Sequence, residues 1–232
     1  MTLLNIETST NVCSVALSDG ADLVFAKINS EGQNHAALLS VFIKDALDFL
    51  KAEGKTLDAV AVSSGPGSYT GLRIGVSTAK GLCYGMDIPL ISVETLKVLV
   101  ISALQQYSID NNAIFCPMID ARRMEVYTAL YNYNLHEISQ VEAKIIAENS
   151  FSEILNDKKI VFFGNGADKC QKIIKSENAE FLQGISPLAE NMISLSTQAF
   201  EKKHFVDTAY FEPFYLKEFQ PTTPKSKVLA NR

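Results

Sequence analysis

The chain is short of the features that would sort it at a glance. Its 232 residues include four cysteines, Cys13, Cys83, Cys116 and Cys170, and no Cys-x-x-Cys pair. Scattered in this way, they read as reduced packing residues of a cytosolic protein rather than as a disulfide framework. No apolar run reaches the length of a membrane span. No basic start or long apolar core precedes Asn5 and Glu7, which argues against a secretory signal. Low-complexity tracts are absent, and 47% hydrophobic with 20% charged residues is ordinary for a globular chain. Basic charge is also scarce: 26 acidic residues face 21 basic ones, for a net charge of −5. The densest basic pairs are only Lys158-Lys159 and Lys202-Lys203. A protein that grips nucleic acid alone carries a basic field to neutralise phosphates. Any role on nucleic acid therefore requires a partner to supply most of the contact. A chain of this length buries about 70% or more of its unfolded surface, so it needs neither disulfide nor metal to fold. It is long enough for one large domain or two small lobes.

What is present is a glycine run, Ser63-Ser64-Gly65-Pro66-Gly67-Ser68-Tyr69-Thr70-Gly71-Leu72-Arg73-Ile74-Gly75-Val76. The aliphatic stretch Asp58–Val62 before it reads as a buried strand. Gly65, Pro66 and Gly67 break that strand, and Ser68 or Thr70 can cap the following helix. Such a junction aims backbone N–H groups outward, toward an anion or a partner's carbonyls. No Gly-Lys-Ser/Thr follows, so the run is not a P-loop. Its glycine spacing is not the dinucleotide fingerprint either. A tight packing turn and a functional loop both remain open.

Strands are expected at Leu3–Glu7, Val12–Ser18 and Leu23–Ile28, with Asp19-Gly20 turning the last two into a hairpin. A helix from His35 to Ala52 stops near Gly54. Strand 58–63, helix 70–85, strand 88–93 and helix 94–107 complete a βββαβαβα order. The second half repeats it. Strands are expected at Ile114–Asp120, Glu125–Tyr131 and about Glu137–Ile146, then a short helix capped by Ser150-x-x-Glu153. Strand Ile160–Phe163, a helix to about Lys175, and a last helix with Pro187 at its first turn, running to about Lys203, follow. The halves align locally: Ile6-Glu7 with Ile119-Asp120, and Val62-x-x-Gly65-x-Gly67 with Val161-x-x-Gly164-x-Gly166. This order predicts an α/β fold of two related lobes, residues 1–108 and 109–232. Duplicated βββαβα lobes resemble the actin-like ATPase superfamily, whose ribonuclease H-like halves close on a nucleotide.

In that superfamily two carboxylate–glycine hairpins hold the phosphates and the metal. The corresponding segments here are Glu7-Thr8-Ser9-Thr10-Asn11 and Asp120-Ala121-Arg122-Arg123. Both keep a carboxylate, and neither has the glycine that lets backbone approach a phosphate. Glu7, Thr8, Ser9, Asp120 and Arg122 thus mark degraded phosphate hairpins. Arg122 or Arg123 either binds a phosphate or pairs with Asp120 or Glu125, and the ion pair is the favoured expectation. Covalent and metal chemistry lack support. Gly65-Pro66-Gly67-Ser68-Tyr69 is not a nucleophile elbow, and no His-Glu-x-x-His exists. His35 reads as a helix-end or surface residue, and His136 and His204 lie far off in sequence.

The remaining signal is a surface. Helix 35–52 has a core stripe of Leu39, Phe42, Ile43, Ala46 and Leu50. Ala36, Leu38, Val41 and Phe49 widen the apolar arc beyond it. The next helix carries Gly71, Gly75 and Ala79 at spacing four, and Gly81 with Gly85. Helical glycine costs about 1 kcal/mol against alanine, which close approach of a neighbour can offset. Leu38, Val41, Gly71, Gly75 and Ala79 are therefore expected at a partner interface. The aromatic-rich tail Phe205–Phe219 is expected to pack back on the lobes, and Gln220–Arg232 to fray.

Gly65-Pro66-Gly67-Ser68-Tyr69-Thr70-Gly71-Leu72-Arg73-Ile74-Gly75 and the Ser77–Leu82 segment after it resemble the signature of the TsaB (YeaZ) family. So do the opening Leu4–Leu17 stretch, Asp120-Ala121-Arg122-Arg123-Met124-Glu125-Val126-Tyr127, and Glu212-Pro213-Phe214-Tyr215-Leu216. The resemblance implies a non-catalytic subunit of the bacterial machinery that places threonylcarbamoyl on a tRNA adenosine. It implies a cytoplasmic protein with no cofactor and no membrane contact. Its implied partners are a catalytic TsaD-like subunit and a TsaE-like ATPase, with a homodimer when alone and tRNA reached only through the complex. It also implies that helices 35–52 and 70–85 pair with TsaD, or with themselves, as a four-helix bundle. TsaD uses two histidines four residues apart on a helix; here His35 is followed by Leu39. The rival reading is an ATP-dependent kinase or hydrolase of the actin-like fold, which should have the hairpin glycines. A metallopeptidase is a third reading, opposed by the missing ligand pair.

Overall fold

A computed structural model describes residues 1–32 and 34–217. Three strands, β1 (Thr2–Glu7), β2 (Cys13–Asp19) and β3 (Asp22–Asn29), form an antiparallel meander. Helix α1 (His35–Ala52) leads to β4 (Ala59–Gly65), which pairs parallel with β1. Helix α2 (Tyr69–Met86) leads to β5 (Leu90–Glu94), parallel to β4, and helix α3 (Thr95–Gln106) closes the first half. The sheet order is β3-β2-β1-β4-β5.

Alternation along the central strands divides their side chains between two cores. Leu4, Ile6, Val60 and Val62 pack under α1 and α2, while Leu3, Ala59 and Ala61 face the opposite side. The core stripe of α1 is His35, Leu39, Ile43, Ala46 and Leu50, with Phe42 and Phe49 partly buried beside it.

The second half repeats the topology. Strands β6 (Ile114–Asp120), β7 (Glu125–Thr128) and β8 (Glu142–Ile145) are antiparallel neighbours. A short α4 (Ser152–Leu155) precedes β9 (Ile160–Phe163), parallel to β6. A single-turn α5 (Ala167–Cys170) precedes β10 (Ala179–Phe181), parallel to β9. The order β10-β9-β6-β7-β8 is the first sheet's order over again. A 3₁₀ turn, Ala189–Met192, and helix α6 (Ile193–Glu201) end the second half.

Several second-half expectations are corrected. Ser150 does not cap α4: its hydroxyl accepts from the Ala147 N–H at 2.9 Å. Phe151 precedes the helix at φ +65°, with its ring against Phe162. The helix expected to reach Lys175 stops at Cys170, and the chain turns to bury Ile174. Ser186-Pro187 does not start the last helix. The chain there runs extended to the first lobe, where the Ala189 N–H donates to the Ser14 hydroxyl at 2.9 Å. Strand β10 has no counterpart in the expected elements.

The two halves exchange their last helices. Leu96, Leu99, Val100 and Ala103 of α3 sit in the second lobe's core with Phe115, Val161 and Phe163. Met192, Leu195, Ala199 and Phe200, from the end of the second half, pack against Leu3, Ala61 and Ile91 of the first sheet. The backbone of the tail also returns to the lobes, but against expectation the Tyr210 ring stays 85% exposed. The Val206 N–H donates to the Leu90 carbonyl (2.9 Å), and Phe214 N–H to that of Ser64 (2.8 Å). Gln220–Arg232 and Phe219 lie outside the described residues.

Exchanged helices make each core depend on the other half of the chain. Leu96→Ala should cost about 2–5 kcal/mol and leave urea unfolding as one cooperative transition. Two separated transitions would show that the lobes unfold independently.

Candidate functional site

The turn after β4 is built around contacts too close for any side chain. Gly65 has φ +107°, and a Cβ there would lie 2.9 Å from the Phe214 carbonyl oxygen. The Gly65–Pro66 peptide is cis. A Cβ on Gly67 would run into the Ser9 carbonyl, and one on Gly71 into that of Thr8. On Gly75 it would meet the Thr8 hydroxyl. The close approach is fastened by hydrogen bonds: Ser68 N–H donates to the Ser9 carbonyl (2.6 Å), and the Thr8 hydroxyl to that of Gly71 (2.8 Å). Ser68 is the N-cap of α2, its hydroxyl accepting from the Gly71 N–H at 3.2 Å. The glycine run therefore grips the first hairpin. The N–H of Ser68 and that of Gly71, expected to face an outside ligand, are taken up internally.

This overturns one interface assignment. Gly71, Gly75 and Ala79 are buried within their own lobe and do not face outward. The second small-residue set behaves oppositely: Gly81 and Gly85 are exposed, and a Cβ on either meets nothing within 4 Å. Leu38 is half-buried and Val41 is 50% exposed, so both lie off the core stripe as expected. Arg73 stands on the exposed side of α2.

The first hairpin is sealed. Glu7 and Thr8 are wholly buried. One Glu7 carboxylate oxygen accepts from the Ser9 N–H at 2.5 Å, and the other has no partner among the described residues. Burial pushes the Glu7 carboxyl above the ordinary carboxylate range, opposed by the nearby polar groups of Ser9, Ser63 and Thr8. His35 is the first residue of α1, as the helix-end reading had it, but it is buried and not on the surface. Its Nε2 lies 2.9 Å from the Thr10 carbonyl and 3.2 Å from that of Val12, tying α1 to the hairpin tip.

The second hairpin has the same frame and different contents. Gly164 (φ +98°) and Gly166 crowd Met118, Ile119 and Asp120, as Gly65 and Gly67 crowd their own neighbours. Asp120 does not pair with an arginine side chain. Its carboxylate accepts from the Arg122 backbone N–H (3.0 Å) and from Lys169. Lys169 also donates to the carbonyls of Arg123 and Glu125, each at 2.7 Å. Glu125 pairs with Lys217 of the tail. The expected pairing of Arg122 or Arg123 with these carboxylates is thus replaced by two lysines that no sequence motif singled out. Lys169 lies three residues past Gly166, and its role becomes visible only once α5 packs beside β6.

Between the lobes lies a cleft of about 900 Å³. Ser9, Thr10 and Asn11 line it from the first hairpin, and Asp120, Arg122 and Arg123 from the second. Gly67, Ser68, Tyr69 and Thr70 line it from the glycine run, whereas Gly65 and Pro66 are buried beneath. The tail contributes Tyr215, whose ring packs on Tyr69 with centroids 4.7 Å apart. Four stretches far apart in sequence thus meet at one place. Among the described residues no group of three His, Cys, Asp or Glu is placed to hold a metal. Burial raises all four cysteine thiols, Cys116 to about 12 and the others to about 11. None is a ready thiolate at neutral pH. No described helix is long and apolar enough to cross a membrane.

Comparison with known proteins agrees with this geometry. The family model described as TsaD, tRNA N6-adenosine threonylcarbamoyltransferase, matches residues 28–221. The tRNA threonylcarbamoyladenosine biosynthesis protein TsaB of Escherichia coli is 31% identical over 225 residues, 94% of this chain and 95% of that protein. The Bacillus subtilis TsaB is 30% identical over 180 residues, 75% of this chain and 76% of that one. Among solved structures, YeaZ from Pseudomonas aeruginosa superposes with a TM-score of 0.76 at 26% identity, covering 93% of this chain and all of that one. A protein described as similar to peptidase YeaZ, from the same organism, gives 0.79 at 25% identity, covering 93% and 99%. The chain belongs to the TsaB (YeaZ) family, within the wider group the TsaD model covers, and its two sheets are duplicated ribonuclease H-like lobes of the actin-like superfamily.

The two glycine sets predict opposite stability effects. Gly71→Ala should destabilise the isolated chain by about 1–3 kcal/mol, because the Thr8 backbone must move. Gly81→Ala should be neutral or stabilising by up to about 1 kcal/mol. Chemical melts of the two variants decide this, and equal effects would contradict the packing described.

Glu7 generates a pH prediction. With its folded value raised, the native state holds more protons than the unfolded one between the ordinary carboxylate value and the raised one. Stability therefore falls as pH rises through that window. Glu7→Gln should be more stable than the parent at about pH 8 and lose that advantage in acid, below the ordinary carboxylate value. Urea midpoints across pH are the measurement, and a Gln variant weaker at alkaline pH would mean the carboxylate is well satisfied as an anion.

Proposed function

We propose that this chain is the non-catalytic partner subunit in tRNA threonylcarbamoyladenosine biosynthesis and docks its α1–α2 face on a TsaD-like catalytic protein. Family membership supports involvement in that modification. The observation that carries the docking role is the outer face of the two helices. Val41 is 50% exposed on α1, with Leu38 beside it on the same helix. On α2 the exposed positions include Ser77, Gly81 and Gly85, where nothing occupies the space a side chain would fill at either glycine. Small residues let a second helix pair approach closely, and the adjoining apolar side chains reward that approach. The same face fits a second copy of the chain, so a homodimer competes with the heterodimer. A TsaE-like ATPase joins the assembly, and tRNA is reached through it, in keeping with the net charge of −5.

The cleft supports the non-catalytic half of the proposal. One hairpin carboxylate is buried under the glycine run and the other is held by Lys169. Neither is presented to a magnesium–phosphate group, which disfavours the ATP-dependent kinase or hydrolase reading.

Arginine substitution tests the docking face. Val41→Arg and Leu38→Arg should leave the melting temperature of the isolated chain unchanged. They should weaken co-purification with the TsaD-like protein of the same organism by about 100-fold or more, because a charge is buried unpaired in the complex. Unchanged binding moves the interface elsewhere. ATP turnover by the isolated chain on the order of 1 per second would overturn the non-catalytic assignment.

A further inference from the structure

Away from the cleft and the docking face, the first sheet buries a polar seam that neither role uses. Alternation along β1 puts Asn5 and Glu7 on the same face as Leu3, opposite α1 and α2. Residues paired across strands share a face, so Glu7 stands beside Ser14 of β2, and Asn5 stands between Ala16 of β2 and Ala61 of β4. Ser63 of β4 lies near the Glu7 carboxyl from the other side. The 3₁₀ turn and α3 cover this face, where Met192 and Val98 pack with Leu3 and Ala61. Asn5, Glu7 and Ser63 are 0% exposed. Both amide atoms of Asn5, one Glu7 carboxylate oxygen and the Ser63 hydroxyl nevertheless have no hydrogen-bond partner among the described residues. So does Oδ1 of Asn191 in the covering turn, whose Nδ2 donates to Ser102 of α3. The Ser14 hydroxyl accepts from the Ala189 N–H and keeps its own proton to donate. Orphaned groups gathered at one place in a native interior call for a bound partner.

We propose that this seam is an internal hydration site, a short chain of ordered water molecules held by Asn5, Glu7 and Ser63. The side chains beside Asn5 on both neighbouring strands are methyl groups, which leave room and offer no polar atom. Asn5 and Glu7 are two residues apart on one strand, a spacing of about 6.6 Å that suits bridging by water. A buried water needs about two to four polar partners, and the orphaned atoms supply them. The set also selects water over an ion. Asn5 Nδ2 is a donor, whereas Asn5 Oδ1 and the free Glu7 oxygen are acceptors. Water serves both kinds, and a cation serves only acceptors. The end of the second half therefore meets the first sheet partly through solvent, beside the dry contact of Met192 with Leu3. The Ala189 N–H to Ser14 bond stands at one edge of that seam.

The test is oxygen-17 magnetic relaxation dispersion on the full chain. It counts long-lived internal waters and is blind to exchange of hydroxyl, amide and carboxyl protons. A chain of 232 residues holds about nine buried waters at the usual density, so the readout is the difference between parent and variant. Asn5→Leu, close to asparagine in volume and without polar atoms, should lower the count by about one water or more. Should that variant fail to fold, the parent decides the matter by itself in a high-resolution crystal structure. Density for water is expected about 2.7–3.2 Å from the Asn5 amide and from the free Glu7 oxygen. Three results overturn the proposal. One is a water count unchanged in Asn5→Leu. Another is a crystal structure in which the Asn5 amide and Glu7 bond directly to protein groups. The third is a parent melting temperature that differs between sodium, potassium and choline chloride at equal ionic strength and loses that difference in Asn5→Leu, which would make the occupant a cation.

Discussion

The first lobe depends on a contact between backbones with no side chain in between. Gly67 and Gly71 lie directly against the carbonyls of Ser9 and Thr8, and a methyl group at either position would push the segments apart. That contact fixes where α2 begins and seals Glu7 beneath the hairpin. It also holds the hairpin tip where His35 can reach the Thr10 and Val12 carbonyls. Both outward-facing helices, α1 and α2, are therefore fastened to the same hairpin.

Gly164 and Gly166 reproduce the arrangement in the second lobe, at matching positions and with matching positive φ at the first glycine. The duplication thus extends from strand order to the construction of each hairpin. The contents have diverged. In the first lobe the carboxylate is desolvated and its second oxygen unpartnered. In the second, a lysine from α5 organises the loop by binding one carboxylate and two carbonyls. A frame suited to phosphate and metal has become, in one half, a packing device, and in the other a lysine-organised loop bearing two unpaired arginines.

Helix α2 separates two uses of small residues. Gly71, Gly75 and Ala79 serve the fold, because the hairpin crosses that face. Gly81 and Gly85 meet nothing in the chain itself. A glycine that costs helix stability and contacts nothing has no intramolecular compensation, which is why the outer face, and not the inner one, supports the docking role.

Much of the fold was legible in the sequence. Helix α1 and strands β6 and β9 have the bounds their patterns imply, since apolar periodicity and flanking breakers are local properties. The repeat of Val-x-x-Gly-x-Gly and the family motifs identified the duplicated lobes, because the glycines answer to backbone geometry that both halves share. Tertiary structure decided the rest. Spacing of four is the same for Gly71-Gly75 and Gly81-Gly85, and only packing tells which face is covered. Asp120 and Glu125 were visible as charges, but Lys169 and Lys217 reach them across 49 and 92 residues. Ser186-Pro187 reads locally as a helix start, yet Ser14 in the other lobe captures the Ala189 N–H and the chain between stays extended. The sequence by itself determined the elements and their repetition, because these rest on neighbours along the chain. Which surfaces face out, and which charge meets which, depended on segments brought together from opposite halves.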